Sequence, residues 1–270
     1  MKLAVTHLTR MQRGYVCVAG VDVDSGVHVR PVIPNARLRD QLCARRGGPF
    51  DMATVVDLGT VRAVPKPPEV EDHEFTPWHA RAVQQIEPLL FWEMLCFLAK
   101  PGLNELFGPA LRPAGRGSAV VEVGAGTASL GCIAPVGRPR LVIEERPDRN
   151  PSIRLQFSDG ALPLNLSVTD LRLWEDDHVT PRLELIEDVA RRLNFGVPCL
   201  LSVGLTRPFT PTAGDAPVHW LQVNSIHLTD DPCWRLADEL PPATEPHCVT
   251  SNNGVRQPSA SIRGTDDLPF

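Results

Sequence analysis

The chain has 270 residues, 43% of them hydrophobic and 22% charged, with a formal net charge of −5. That composition excludes a wholly disordered chain, and the acidic balance argues against a generic phosphate-coating protein while leaving room for a local basic patch. Twenty-seven prolines exclude long helices and uninterrupted central strands, so many short elements joined by turns are expected.

Residues 1–64 read as strands: Lys2 to Thr6, Gly14 to Val21 and Val27 to Ile33, the last two joined by the turn Asp22-Val23-Asp24-Ser25-Gly26. Arg37 to Arg46 is expected to form a short helix, and Ala53 to Val64 a further strand that ends at Pro65-Lys66-Pro67-Pro68. Glu69 to Glu74 reads as a solvated acidic loop. Val83 to Lys100 has helical spacing, with Ile86, Leu89, Leu90 and Phe97 offered to one buried face and Pro88 in its first turn. Strands return at Ala119 to Val123, Leu141 to Glu145, Ile153 to Phe157 and Leu162 to Val168, the last two joined by Ser158-Asp159-Gly160. Pro181 to Asn194 is the best helix, because Leu183, Ile186, Val189 and Leu193 recur at three or four and Gly196 follows. Leu200 to Leu205 and Val218 to Leu228 are late strands, and 241–270 reads as a tail without structure of its own. Clustered strands do not alternate with helices as βαβ units do. The expected fold is therefore mainly β with some helix (α+β): a unit at 1–115 that includes a helical insertion, and a second at 116–240 that carries the helix 181–194.

Seven cysteines without a CxxC pair read as reduced, buried thiols. The longest apolar stretch, Leu89 to Ala99, contains Glu93 and is too short to span a bilayer. With no apolar leader after Met1, a cytoplasmic protein without membrane attachment is expected. His73, Glu74, His79 and Asp72 meet no metal-ligand spacing, and Glu175-Asp176-Asp177-His178 reads as an exposed turn. No GxSxG, HExxH or phosphate-binding loop occurs, so no catalytic residue, no metal and no cofactor is expected. One motif invites an enzyme reading. Val120-Val121-Glu122-Val123-Gly124-Ala125-Gly126 resembles the first motif of S-adenosylmethionine-dependent methyltransferases, with Glu144 or Glu145 as the ribose-binding acid. Pro135, Gly137 and Pro139 leave little room for the helix that must follow, so a hairpin with a Gly-rich bend is the expectation.

A wider pattern outweighs that motif. Tyr15-Val16-Cys17-Val18-Ala19-Gly20-Val21-Asp22 followed by His28-Val29-Arg30-Pro31-Val32 resembles the opening of the bacterial dual OB domain proteins. Ser129-Leu130-Gly131, Arg154 to Gly160, Leu166 to Asp170, Cys199 to Phe209 and His219 to Val223 are similar to later parts of that family in the same order. The resemblance spans about 1–230 and implies two OB-like small β-barrels with a nucleic-acid or nucleotide ligand.

OB barrels hold single strands with stacking rings and cations that track phosphates. The candidates for such contacts are Arg10, Tyr15, His28 and Arg30 in the first unit, with Arg13 nearby, and Asp170, Arg172, Arg207 and Trp220 in the second. Four of them have a structural alternative. Arg30 could pair with Asp22 or Asp24, His28 could be a half-exposed strand residue, Trp220 could be core, and Asp170 could cap a turn. Three functions stay open: a non-catalytic module that binds single-stranded nucleic acid or a nucleotide, an assembly module that docks a protein partner through the helix 181–194 or the tail, and, less favoured, a methyltransferase using Gly124, Gly126 and Glu144.

Overall fold

The computed structural model describes residues 1–11, 14–146, 149–210 and 216–236. The tail expected at 241–270, and Arg13, lie outside the described residues.

The first sheet is built from β1 (Lys2–Arg10), β2 (Tyr15–Asp22), β3 (His28–Val32), β4 (Leu38–Arg39), β5 (Thr54–Asp57), β6 (Arg62–Ala63), β7 (Asp72–Glu74) and β8 (Arg81–Gln85). Its order is β6-β7-β3-β2-β1-β5-β8, with β4 also paired to β2. A three-strand meander thus pairs on one side with β5, antiparallel to β1, and on the other with β7, parallel to β3. This is the strand order of a five-stranded OB-like barrel. In β1 every residue from Leu3 to Thr9 is buried, so no simple alternation is visible. The register shift at Thr6 explains it: a bulge there switches the inward parity, so that Leu3, Val5 and Leu8 all join the core. Gly20 lies opposite β1 because a Cβ there would stand 2.0 Å from the Ala4 carbonyl oxygen.

The helical insertion follows as α1 (Pro88–Leu98), β9 (Ala99–Lys100) and α2 (Leu103–Phe107). Then come β10 (Arg112–Ala114), β11 (Ser118–Glu122), β12 (Leu130–Ile133), β13 (Val136–Arg146), β14 (Arg149–Ser158), β15 (Pro163–Ser167), α3 (Leu183–Phe195), β16 (Cys199–Leu205) and β17 (Val218–Leu228). A β13-β14-β15 meander and a sheet of order β10-β11-β17-β16-β12-β9 share one core, into which α3 sends Ile186, Val189 and Leu193. The parallel bridge Val168–Val223 repeats, in miniature, the parallel β3–β7 ladder. A bulge at Asn224 in β17 resets the inward parity just as the one in β1 does, bringing Leu221, Val223, Ile226 and Leu228 inward. The protein is mostly β, with two OB-like barrels.

Several expectations need correction. Arg37–Arg46 is not a helix but the short strand β4 and two 3-10 turns, 40–42 and 44–46. The strand expected over 53–64 is broken, because the Asp57 carboxylate accepts the Gly59 N–H at 2.9 Å and bends the chain between β5 and β6. The helical reading of 83–100 begins too early, since 81–85 is a strand, and it picks the wrong face. Phe91 and Leu95 are buried, whereas Leu89, Leu90 and Phe97 are 68%, 58% and 87% exposed. The best helix starts at Leu183, two residues later than expected, because Pro181 is bridged to Trp174.

The largest correction is the acidic stretch. Glu69, Glu71 and Asp72 are buried rather than solvated. Each meets donors far away in sequence. Glu71 accepts from the Ser129 N–H at 2.8 Å, the Ser129 hydroxyl at 2.7 Å and the Leu130 N–H at 3.3 Å. His178 is likewise buried at the end of a turn expected to be exposed, with Nδ1 3.1 Å from the Met11 carbonyl.

Candidate ligand cavity between the barrels

A cavity of about 830 Å³ opens where the β2–β3 ladder of the first barrel faces the β16–β17 end of the second. Its size falls within the range of small-molecule sites. Val16, Pro31, Ile33, Leu38, Leu205 and Phe209 supply apolar wall. Arg10, Arg30, Arg37 and Arg207 line the same space, together with two acidic residues, Asp72 and Glu74.

The β3–β7 ladder sets Arg30 directly opposite Asp72. Arg30 Nε donates to Asp72 Oδ1 at 2.6 Å, and the pair is nearly inaccessible, with side chains 4% and 9% exposed. Its Nη2 is buried without a partner. The remaining Asp72 oxygen takes Arg207 Nη2 at 2.7 Å, and Arg207 Nη1 lies 3.0 Å from Glu69. Arg207 extends from the end of β16, so this chain of charges ties the two barrels together. Burial opposes the charge of Arg207, yet Asp72 and Glu69 together raise its pKa. Arg10 Nη1 donates to the His178 carbonyl at 2.7 Å, and its guanidinium stacks 3.5 Å over the Trp174 ring. Burial lowers its pKa to about 10, which leaves it charged at neutral pH. Arg37 is exposed and stands 5.8 Å from the centre of the Tyr15 ring.

The expected contact residues therefore divide. Arg10, Arg30 and Arg207 line one cavity. Tyr15 borders it through Arg37, and Trp220 through Phe209, whose ring lies 6.0 Å away. Arg30 is paired, as its structural alternative holds, but with Asp72 rather than Asp22 or Asp24; Asp22 instead closes its own turn onto Ser25. His28 is turned to His7, 6.0 Å away in an edge contact, and burial lowers its pKa to about 4. Asp170 and Arg172 are wholly buried against each other and do not line the cavity. Arg37 and Phe209 were not among the candidates. The sequence places Arg37 in an expected helix, and Phe209 enters only at the end of the family-like stretch Cys199 to Phe209.

The Gly-rich motif is not a cofactor loop. Beyond Gly126 the chain enters the strand β12, not a helix, so there is no helix N-terminus to receive a cofactor. The expected hairpin is also corrected: β11 and β12 are separated in the sheet by β17 and β16. The loop is held by the Glu71 carboxylate on Ser129 and Leu130. Among the described residues no cluster of His, Cys, Asp and Glu could hold a metal ion, and no helix is long and apolar enough to cross a membrane.

The model of the dual OB-containing domain matches residues 1–226. No curated protein and no solved structure matches the chain. With more than four-fifths of its length covered by that model and two OB-like barrels in its fold, the chain belongs to the dual OB-containing domain family.

Proposed function

We propose that this protein is a binding module, without chemistry of its own, that takes a nucleotide or a segment of single-stranded nucleic acid in the cavity between its barrels. The observation that carries the reading is the convergence of Arg10, Arg30, Arg37 and Arg207 on one cavity with an apolar wall, in a chain of net charge −5. Guanidinium forks suit phosphate oxygens and base edges, and the exposed Phe209 ring offers a face for a base. We place the first barrel and its helical insertion at 1–115, the second barrel at 116–240, and the protein in the cytoplasm.

The test is fluorescence anisotropy with labelled single- and double-stranded DNA and RNA, and with labelled nucleotides, at low and physiological salt. Phe209→Ala is expected to weaken binding by about 1–3 kcal/mol, the usual contribution of one stacked base. Absence of binding by every probe at low salt would sink the reading.

A second reading has its own observation. The outer face of α1 presents Leu89, Leu90 and Phe97 to solvent, a row of apolar side chains that suits a protein partner. On this reading Phe97→Glu abolishes an association that sedimentation detects and leaves nucleotide binding unchanged.

A further inference from the structure

Building on the nucleotide reading, we infer that the cavity selects a ligand of mono- or dinucleotide size carrying about two negative charges, rather than a nucleoside triphosphate or a long strand. The charges on the wall decide this. Arg30 and Arg207 are held by Asp72 and Glu69, and Glu74 is held by Arg62. Arg10 rests on a carbonyl oxygen and an indole face, and Arg37 on a phenol ring. Neither has a carboxylate within ion-pair distance among the described residues. Arg37 thus carries its charge at the cavity without a carboxylate partner, Arg10 is balanced only at longer range by Asp177, and the unpartnered Nη2 of Arg30 adds a third donor group without adding charge.

A phosphate monoester, carrying about −1.5 to −2, or the pyrophosphate of a dinucleotide, singly charged on each phosphate, neutralises that wall. A triphosphate carries more negative charge than these guanidiniums offset. A long strand needs a continuous track of free cations. Several exposed arginines outside the cavity are instead tied to the protein's own carboxylates: Arg62 to Glu74, Arg112 to Glu122 and Arg191 to Asp188.

The experiment is isothermal titration of the whole chain with the four ribonucleoside monophosphates, the corresponding triphosphates, pyrophosphate-linked dinucleotides and mixed-sequence 20-mers of RNA and DNA, over a range of salt. A monophosphate or dinucleotide is expected to bind more tightly than its triphosphate and at least as tightly as the 20-mer. Its log K against log salt is expected to have a slope of about −1 to −2, since about 0.7 counterion is released per single-strand phosphate contacted. Arg37→Glu is expected to weaken binding about tenfold or more, the scale of one lost charge-assisted contact. Arg39→Glu is the matched control: Arg39 is equally near Tyr15 and exposed, but it does not line the cavity. Equal losses in both variants would assign binding to the general field of the surface and overturn the inference. Affinity that climbs with strand length, with a salt slope of about −4 or steeper, overturns the size and charge limit while leaving nucleic-acid binding standing. Silence from every ligand refutes the nucleotide reading itself.

Discussion

The two barrels each hold a buried Arg–Asp pair beside the strands that close them, and the pairs are built to different ends. In the second barrel Arg172 Nε and Nη2 donate to both Asp170 oxygens at 2.8 and 2.7 Å. The rest of the guanidinium is taken by the Ile226 and Trp234 carbonyls at 2.9 and 3.0 Å, and the carboxylate also accepts the Arg172 and Ile226 N–H groups. Both side chains are 0% exposed, and hydrogen bonds occupy every nitrogen of the guanidinium and both oxygens of the carboxylate. In the first barrel Arg30 has one short bond to Asp72, an idle Nη2, and a place in a cavity wall. A saturated pair is a strut, whereas an unsaturated one beside a cavity retains donor capacity for something else. The same two residue types thus separate structure from recognition by how completely their hydrogen bonds are used.

The strongest way to break this contrast is Asp170→Ala, which strands a buried guanidinium. A loss of about 3–5 kcal/mol is expected in denaturant unfolding, and Asp170→Leu with Arg172→Met should recover much of it. Arg30→Met should cost less, about 2–3 kcal/mol, because Asp72 keeps Arg207 as a partner. A loss as large as that of Asp170→Ala would show Arg30 to be a strut as well. Acid gives a third, smaller handle. Burial lowers His7 to about 3 and His28 to about 4, both from 6.5. Below pH 6.5 the unfolded chain takes up protons that the folded chain refuses. Stability should therefore fall by about 1.4 kcal/mol per pH unit for each of these histidines, down to the folded values, with no contribution from them above pH 7. His7→Asn should flatten that slope in stability measured from pH 4 to 7. The smallest effect belongs to Arg37→Ala, within about 0.5 kcal/mol of the parent in unfolding, as for an exposed side chain without ion pairs. Its consequence should appear in ligand affinity alone.

Features whose causes are local were legible in the sequence. The Asp22 turn, the β14–β15 hairpin and α3 depend on neighbours within a few residues, and their residue types announce them. The acidic stretch was not legible, because the donors that make burial of Glu71 favourable lie 58 residues away. The face of α1 was misread because apolar residues surround that helix, so periodicity alone could not choose between Phe91 with Leu95 and Leu89 with Phe97. At the cavity, Arg10, Arg30 and Arg207 stood out as arginines on or beside strands, whereas Asp72 and Arg37 take their places from a parallel ladder and a loop that only the fold sets.

Leu236 donates its backbone N–H to Asp51 Oδ1 at 3.0 Å, and with Cys233, Leu171, Leu200 and Cys132 it completes the core of the first barrel. All eight strands of that barrel's sheet have been made once residue 85 has been translated, yet its core is complete only when residue 236 has been made. At ribosomal speeds of about 5–20 residues per second, the interval is on the order of ten seconds. During that time the amino-terminal segment shows apolar surface that Cys132, Leu171, Leu200, Cys233 and Leu236 cover one after another.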